Sequence, residues 1–303
     1  MSGHQAQAAG PSAAGGAAVL PGSAGPATMG FARLGVPDVA AAVEFFTRAA
    51  ALTAVHGDDT GAALATHDGR VTLLLVSGGP TGLRRLGYDV TDAGQLADFE
   101  SRLRAHGVAT RREAVPFVGD EGLTFTDPDG YELSLVVRPP VPPPPRGERP
   151  VVVERILHPL IGVAHLPTSL AFYRDVLGFA VSDYIADQTV FMRCQDAFHH
   201  SFALTQAGGG SVGLDHICFH IPDFDTLMRA RLRLRRLGGV ECSDVFRHGG
   251  SESITFYFHD PHSGIQIEFC TQHRRVTDPD HQPRVLPAAR STFDLWENFD
   301  DRP

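Results

Sequence analysis

The chain has 303 residues, 43% hydrophobic and 20% charged, enough for two domains with buried cores. Its formal net charge of −9 argues against nucleic acid, which needs a basic surface, and no apolar run reaches membrane-spanning length. All 26 basic residues are arginine, which excludes mechanisms built on a lysine Schiff base or a P-loop lysine.

Residues 1–29 are dominated by Ala, Gly, Ser, Pro and Gln and carry no Arg or Lys. They lack the basic start and apolar core of a secretory signal, so we read them as a disordered leader of a cytoplasmic protein. Cys194, Cys218, Cys242 and Cys270 form no CxxC pair and suit a reducing compartment better than a disulfide framework.

From residue 30 an order of elements appears twice. FARLGVPDVAAAVEFFTRAAAL predicts a short apolar strand, a loop and a helix bearing Phe45 and Phe46. GLRRLGYDV, QLADFESRLRAHG and LTFTDPDGYELSLVV then predict a strand, a helix and a hairpin around DPDG, closing a first domain at 30–137. The stretch 138–150, RPPVPPPPRGERP, reads as a semi-rigid linker, since its prolines fit neither helix nor central strand. A second domain at 151–273 opens with LHPLIGVAHLPTSLAFYRDVLGF, where Phe172 and Tyr173 form the aromatic pair. There Thr168 or Ser169 can cap the helix and Gly178 can end it. GLDHICFHI, a helix through TLMRARLRLRRLGG and ITFYFHDPHSGIQIEFC complete the copy. The arginines of that helix interleave with leucines, the pattern of a solvated face on an amphipathic helix. A polar tail, 274–303, holds the sole tryptophan, Trp296. Each half thus contains two strand–helix–strands units, an α+β class with mixed sheets.

The repeat is also an internal control. Aligned without gaps, Phe31 falls opposite His158, Arg85 opposite His216 and Ser134 opposite Glu268. A scaffold that works without His, His and Glu in one copy does not require them in the other, which points to function in the second half. Two imidazoles and a carboxylate from separate strands are the ligand set of a non-haem Fe(II) facial triad. Taken singly, each strand histidine has a plain structural reading as a hydrogen-bonded core residue. In FHHSFAL, His199 and His200 point to opposite faces if the segment is a strand, and periodicity does not choose between them.

Residues 30–273, above all from 155 onward, resemble the two-domain type I extradiol catechol dioxygenases of the vicinal oxygen chelate superfamily. ILHPLIGVAHLPTSLAFYRDVLGF is similar to the first-ligand strand and helix, GLDHICFHI to the second-ligand strand and FYFHDPHSGIQIEF to the third-ligand hairpin. The resemblance implies metal ligands His158, His216 and Glu268, with Fe(II) bound and Mn(II) as a substitute. It implies an acid–base role for His200, the second histidine of HHSFA, and leaves His199 as a structural neighbour. His248 and Tyr257, nine residues apart in RHGGSESITFY, match the pair that flanks the substrate. The implied fold is two domains, each of paired βαβββ modules forming a partly open mixed β-barrel, the first without metal ligands and serving packing and oligomer contacts. The implied reaction inserts both atoms of O2 into a catechol next to its diol, in a homo-oligomer with no nucleic-acid or membrane partner.

Three departures stand out. Pro159 follows the first ligand and removes a strand N–H, DPHSG is one residue longer than DPDG, and His165 sits where the family often has Asp. Asp215, His259 and His262 read as surface polar residues, and Cys218, His220 and Cys270 as buried core. Two competing readings share the fold: a glyoxalase-type protein with other metal chemistry, and a metal-free small-molecule binding or resistance module.

Overall fold

The computed structural model describes residues 25–139, 151–208 and 212–298. The leader before residue 25 and most of the expected linker, 140–150, lie outside the described residues. The first half runs β1 (Thr28–Gly35), α1 (Val39–Arg48), β2 (Thr53–Gly57), β3 (Gly61–Ala65) and β4 (Val71–Val76). It continues with β5 (Gly82–Val90), α2 (Ala93–Ala105), β6 (Thr110–Val115), β7 (Gly119–Thr126) and β8 (Glu132–Val137). The strands form one mixed sheet in the order β2-β3-β4-β1-β5-β8-β7-β6.

The second half repeats this as β9 (Arg155–Val163), α3 (Leu166–Ala171), β10 (Ala180–Ile185), β11 (Thr189–Arg193) and β12 (Phe202–Gln206). Then follow β13 (Gly213–His220), α4 (Phe224–Leu237), β14 (Phe246–Arg247), β15 (Ile254–His259) and β16 (Gln266–Thr271). Its order, β14-β15-β16-β13-β9-β12-β11-β10, is that of the first sheet read from the opposite edge. The α+β expectation of two paired-module domains holds. No helix among the described residues is long and apolar enough to cross a membrane.

Two expectations at the chain ends need correction. β1 begins at Thr28, inside the stretch read as leader, and Gly25 is already fixed there, its carbonyl accepting from Gln95 and Gln195. The tail is not an appendage: β17 (Arg284–Leu286) pairs in parallel with β10, and α5 (Arg290–Phe293) follows it.

The helices start as short polar side chains dictate. Asp38, Asp92 and Asp223 each accept a backbone N–H three residues on, at the heads of α1, α2 and α4. At α3 the cap is His165, whose Nδ1 accepts from the Thr168 N–H, and not Thr168 or Ser169 as the sequence suggested. An imidazole lone pair thus does the work that a carboxylate does in the other three. α3 passes into a π-helical turn, Phe172–Val176, and Gly178 leaves it at φ 72°, a conformation that glycine adopts without Cβ strain.

The register shows that the two copies superpose strand by strand. Phe31 pairs with Gly87 and Gly87 with Ser134; in the second half His158 pairs with Cys218 and Cys218 with Glu268. Even the bulges recur, one residue before Phe31 and one before His158. Pro159 therefore leaves the register undisturbed, holding the place of Ala32. The longer DPHSG turn absorbs its extra residue between His259 and Gln266, so Tyr257 stays opposite Glu268 as Thr124 stays opposite Ser134.

In the first domain the equivalent of the ligand row is filled. The Phe31 ring lies so close over Gly87 that a Cβ there would come within 1.8 Å of it. Arg85 is buried and bonded to Glu132 at 2.6 Å and Glu113 at 3.1 Å. Ser134 is bonded to Thr124 at 2.7 Å, and none of the three row residues offers an imidazole or a carboxylate.

Candidate active site

Three adjacent strands of the second sheet, β9, β13 and β16, carry His158, His216 and Glu268 toward one point. His158 Nε2 and His216 Nε2 are 3.4 Å apart, His158 Nε2 and Glu268 Oε2 3.2 Å, and His216 Nε2 and Glu268 Oε2 3.1 Å. Ligands on one octahedral face at about 2.1 Å from a metal are separated by about 3.0 Å, so this triangle has the size of a facial triad. All three side chains are buried.

Two of the three donors are aimed by a further group. Asp215 Oδ1 accepts the His216 Nδ1–H at 2.7 Å, which aims Nε2 at the triangle. Asp215, read from sequence as a surface residue, is thus half exposed yet bonded to a site residue. Thr255 Oγ1 donates to Glu268 Oε1 at 2.7 Å, leaving Oε2 for the triangle. His158 Nδ1 has no partner among the described residues.

Electrostatics follow from burial against pairing. Burial resists charge on His158 and, despite Glu268, lowers it to about 4. The same burial acts on His216, but Asp215 and Glu268 outweigh it and raise the imidazole to about 9. Burial pushes Glu268 up, yet its hydrogen bonds with the two histidines hold it well below the usual carboxylate range. Glu268 is thus an ionised carboxylate between two imidazoles, and a cation binding there would displace the proton that His216 holds at neutral pH.

The other predicted residues surround this triangle on two sides. His200 Nε2 lies 3.2 Å from His158 Nε2. On the other side, the Tyr257 ring packs edge-on to His216, with centroids 5.3 Å apart, and its hydroxyl donates to His248 Nε2 at 3.0 Å. That direction is set by the tail: His248 Nδ1–H donates to the Phe293 carbonyl at 2.9 Å, leaving Nε2 as acceptor. All six predicted residues are therefore brought together.

Sequence reasoning missed two others, Asp183 and His273. His199, read as a structural neighbour of His200, is one: its Nδ1 lies 3.0 Å from His200 Nδ1 and its Nε2 2.7 Å from Asp183 Oδ2. His273, buried and with Nε2 unpartnered among the described residues, lies 4.7 Å from His200, ring to ring. It follows Gln272, which turns at φ 55° after the end of β16, so no strand periodicity could reveal it. Two alternative triples also have donor atoms within 4.8 Å of one another: His158, His200 and His273, and His158, Cys218 and Glu268. Cys218 and Cys270 are buried, with sulfurs 3.3 Å apart, while His220 bonds Glu154 and His259 and His262 are exposed.

The profile of the Glyoxalase/Bleomycin resistance protein/Dioxygenase superfamily matches residues 28–135 and 155–269, and the chain belongs to that superfamily. It is 29% identical over 269 residues to a biphenyl-2,3-diol 1,2-dioxygenase of Paraburkholderia xenovorans, covering 82% of this chain and 89% of that one. It is 27% identical over 277 residues to an iron-dependent extradiol dioxygenase of Rhodococcus jostii, covering 83% and 91%. In fold it matches a halotolerant catechol dioxygenase (TM-score 0.80, 23% identity, 90% and 94% covered). It matches equally a Mn(II)-bound glyoxalase from Novosphingobium aromaticivorans (TM-score 0.80, 22% identity, 89% and 90% covered). The superfamily is the one the sequence resemblance implied, and the relatives matched in sequence are named as extradiol dioxygenases or diol dioxygenases.

Proposed function

We propose that this protein is an Fe(II)-dependent extradiol dioxygenase that cleaves a catechol next to its diol, with Mn(II) as an alternative ion. The observation that carries this reading is the His158–His216–Glu268 triangle, with edges of 3.1 to 3.4 Å. Two imidazole nitrogens and one carboxylate on a single face are the donor set of the non-haem Fe(II) oxygenases, a set that leaves the other positions for substrate and O2. Such an ion, when bound, would acidify a chelated diol and provide an electron path between the ring and O2.

The remaining work falls to the chain. His158, His216 and Glu268 would hold the ion, with Asp215 and Thr255 fixing two of them. His200, beside His158, would take a proton from a diol hydroxyl and return it later. The Tyr257 hydroxyl, beside His216, would turn from His248 Nε2 to donate to the other diol oxygen and the charge that develops there, with His248 holding it in place until then. Burial of the triangle excludes bulk water from the reaction. A cytoplasmic setting and a homo-oligomeric assembly belong to the same reading, as does a packing role for the first domain.

The test is anaerobic loading with Fe(II), then exposure to air with a panel of catechols. A yellow ring-opened product with one O2 consumed per substrate is the expected result. Stable binding of catechols with no O2 uptake would contradict the reading.

A further inference from the structure

Behind His200 lies a chain of buried polar groups for which the reaction just described has no use. His199 joins His200 through Nδ1, at 3.0 Å, and Asp183 through Nε2, at 2.7 Å. Asp183 and His199 have no exposed surface. Asp183 accepts in addition from the backbone N–H and the guanidinium of Arg284, at 2.8 and 2.5 Å, in the β17 strand of the tail. Burial pushes the Asp183 carboxyl up, but His199 and Arg284 prevail and hold it ionised.

The directions of these bonds are determined. A carboxylate has no proton to give, so His199 donates Nε2–H to Asp183. Burial keeps His199 neutral, and a neutral imidazole that donates from Nε2 has only a lone pair at Nδ1. The bond between the two histidines therefore runs one way, from the His200 Nδ1–H. His200 is left with a lone pair at Nε2, the atom that faces the ligand triangle. By register, the first domain has His56, Arg70 and Val71 at the positions of Asp183, His199 and His200. The fold does not need the chain, because its other copy lacks it.

We propose that Asp183 and His199 are positioning residues that set the tautomer of His200 and so make its Nε2 the proton acceptor for a catechol hydroxyl. This rests on the reading of His200 as the acid–base group. In the step, the O–H bond of the diol breaks with its electron pair left on oxygen, and an N–H bond forms at His200 Nε2. Asp183 remains a carboxylate throughout, its charge facing the new imidazolium across the His199 ring.

Histidine-selective 15N NMR of the metal-free protein reads the tautomer apart from turnover. The His200 signal, assigned by its loss in His200→Phe, is expected to show a proton on Nδ1 and none on Nε2. Asp183→Asn, whose amide donates to His199, is expected to reverse both rings. In the metal-loaded enzyme the same variant is expected to lower kcat about 100-fold or more, with KM within about threefold; the corresponding change in a Ser-His-Asp triad costs about 10⁴. Should that variant not fold, His199→Asn keeps an acceptor near the Nδ1 position and should retain about tenfold more kcat than His199→Leu, which has none. A wild-type His200 protonated at Nε2, full activity in Asp183→Asn, or equal kcat in the two His199 variants would overturn the proposal. If the wild type shows the expected tautomer but cleaves no catechol, the functional reading fails and the tautomer relay stands.

Discussion

Asp215 and His216 are consecutive in the chain and partners in space, the carboxylate accepting the imidazole Nδ1–H at 2.7 Å. Successive strand residues point to opposite faces, so Asp215 stands on the solvent side while the His216 ring turns its Nε2 inward. The pair is how a buried nitrogen is aimed from the surface. Asp215→Ala should fold normally, its carboxylate being half exposed. It should weaken metal binding by about 10- to 100-fold, the usual effect of losing a partner of a ligating histidine. Metal-buffered titration of wild type and variant checks this.

Tyr257→Phe keeps the ring that packs on His216 and deletes the hydroxyl that donates to His248. Metal content should stay at the wild-type level while kcat falls by about 10², the scale for removing one donor that faces developing charge. Single-turnover measurements on the loaded enzyme separate the two.

Removing the chain after Ala289 deletes α5 and with it the Phe293 carbonyl that holds His248. The His248 ring then loses its fixed tautomer. The expected outcome is full metal binding with kcat reduced by about tenfold, the lower end for losing an oriented acid–base partner. Comparing metal stoichiometry with the rate of product formation tests it.

In the first domain, Glu113 hydrogen-bonds Arg111 and Arg85, and this pairing lowers its carboxyl to about 2. A carboxyl depressed on folding stabilises the protein above its unfolded value, near 4.3, and loses that stabilisation as pH falls toward 2. Since Glu113 is partly exposed and screened, Glu113→Gln should cost only about 1 kcal/mol at neutral pH. Wild type and variant should converge in denaturant melts near pH 2.

The repeat made the ligand row readable. Phe31, Arg85 and Ser134 show what those strand positions hold when no chemistry is asked of them, so His158, His216 and Glu268 stood out. Turn signals and the Gly178 stop were equally legible, because they act over a few residues, but the parity expected for His199 and His200 fails: β12 begins only at Phe202, and the two rings meet at 3.0 Å instead of pointing to opposite faces. What stayed hidden depends on distant contacts or broken periodicity. Asp183 lies sixteen residues from His199 and just past a bulge that resets the parity of β10. Arg284, about a hundred residues from Asp183, reaches it only because the tail adds an edge strand to the second sheet. His165 looked like a lost cap because capping is associated with Asp and Ser, although a histidine lone pair accepts the same N–H.

The central claim is that the metal site consists of His158, His216 and Glu268 rather than of His158, His200 and His273. Anaerobic Fe(II) titration by calorimetry, on wild type, Glu268→Gln and His200→Phe, decides between them. The account predicts one site per chain in the wild type, its loss in Glu268→Gln and its retention in His200→Phe. Undiminished binding in Glu268→Gln together with loss in His200→Phe would contradict it.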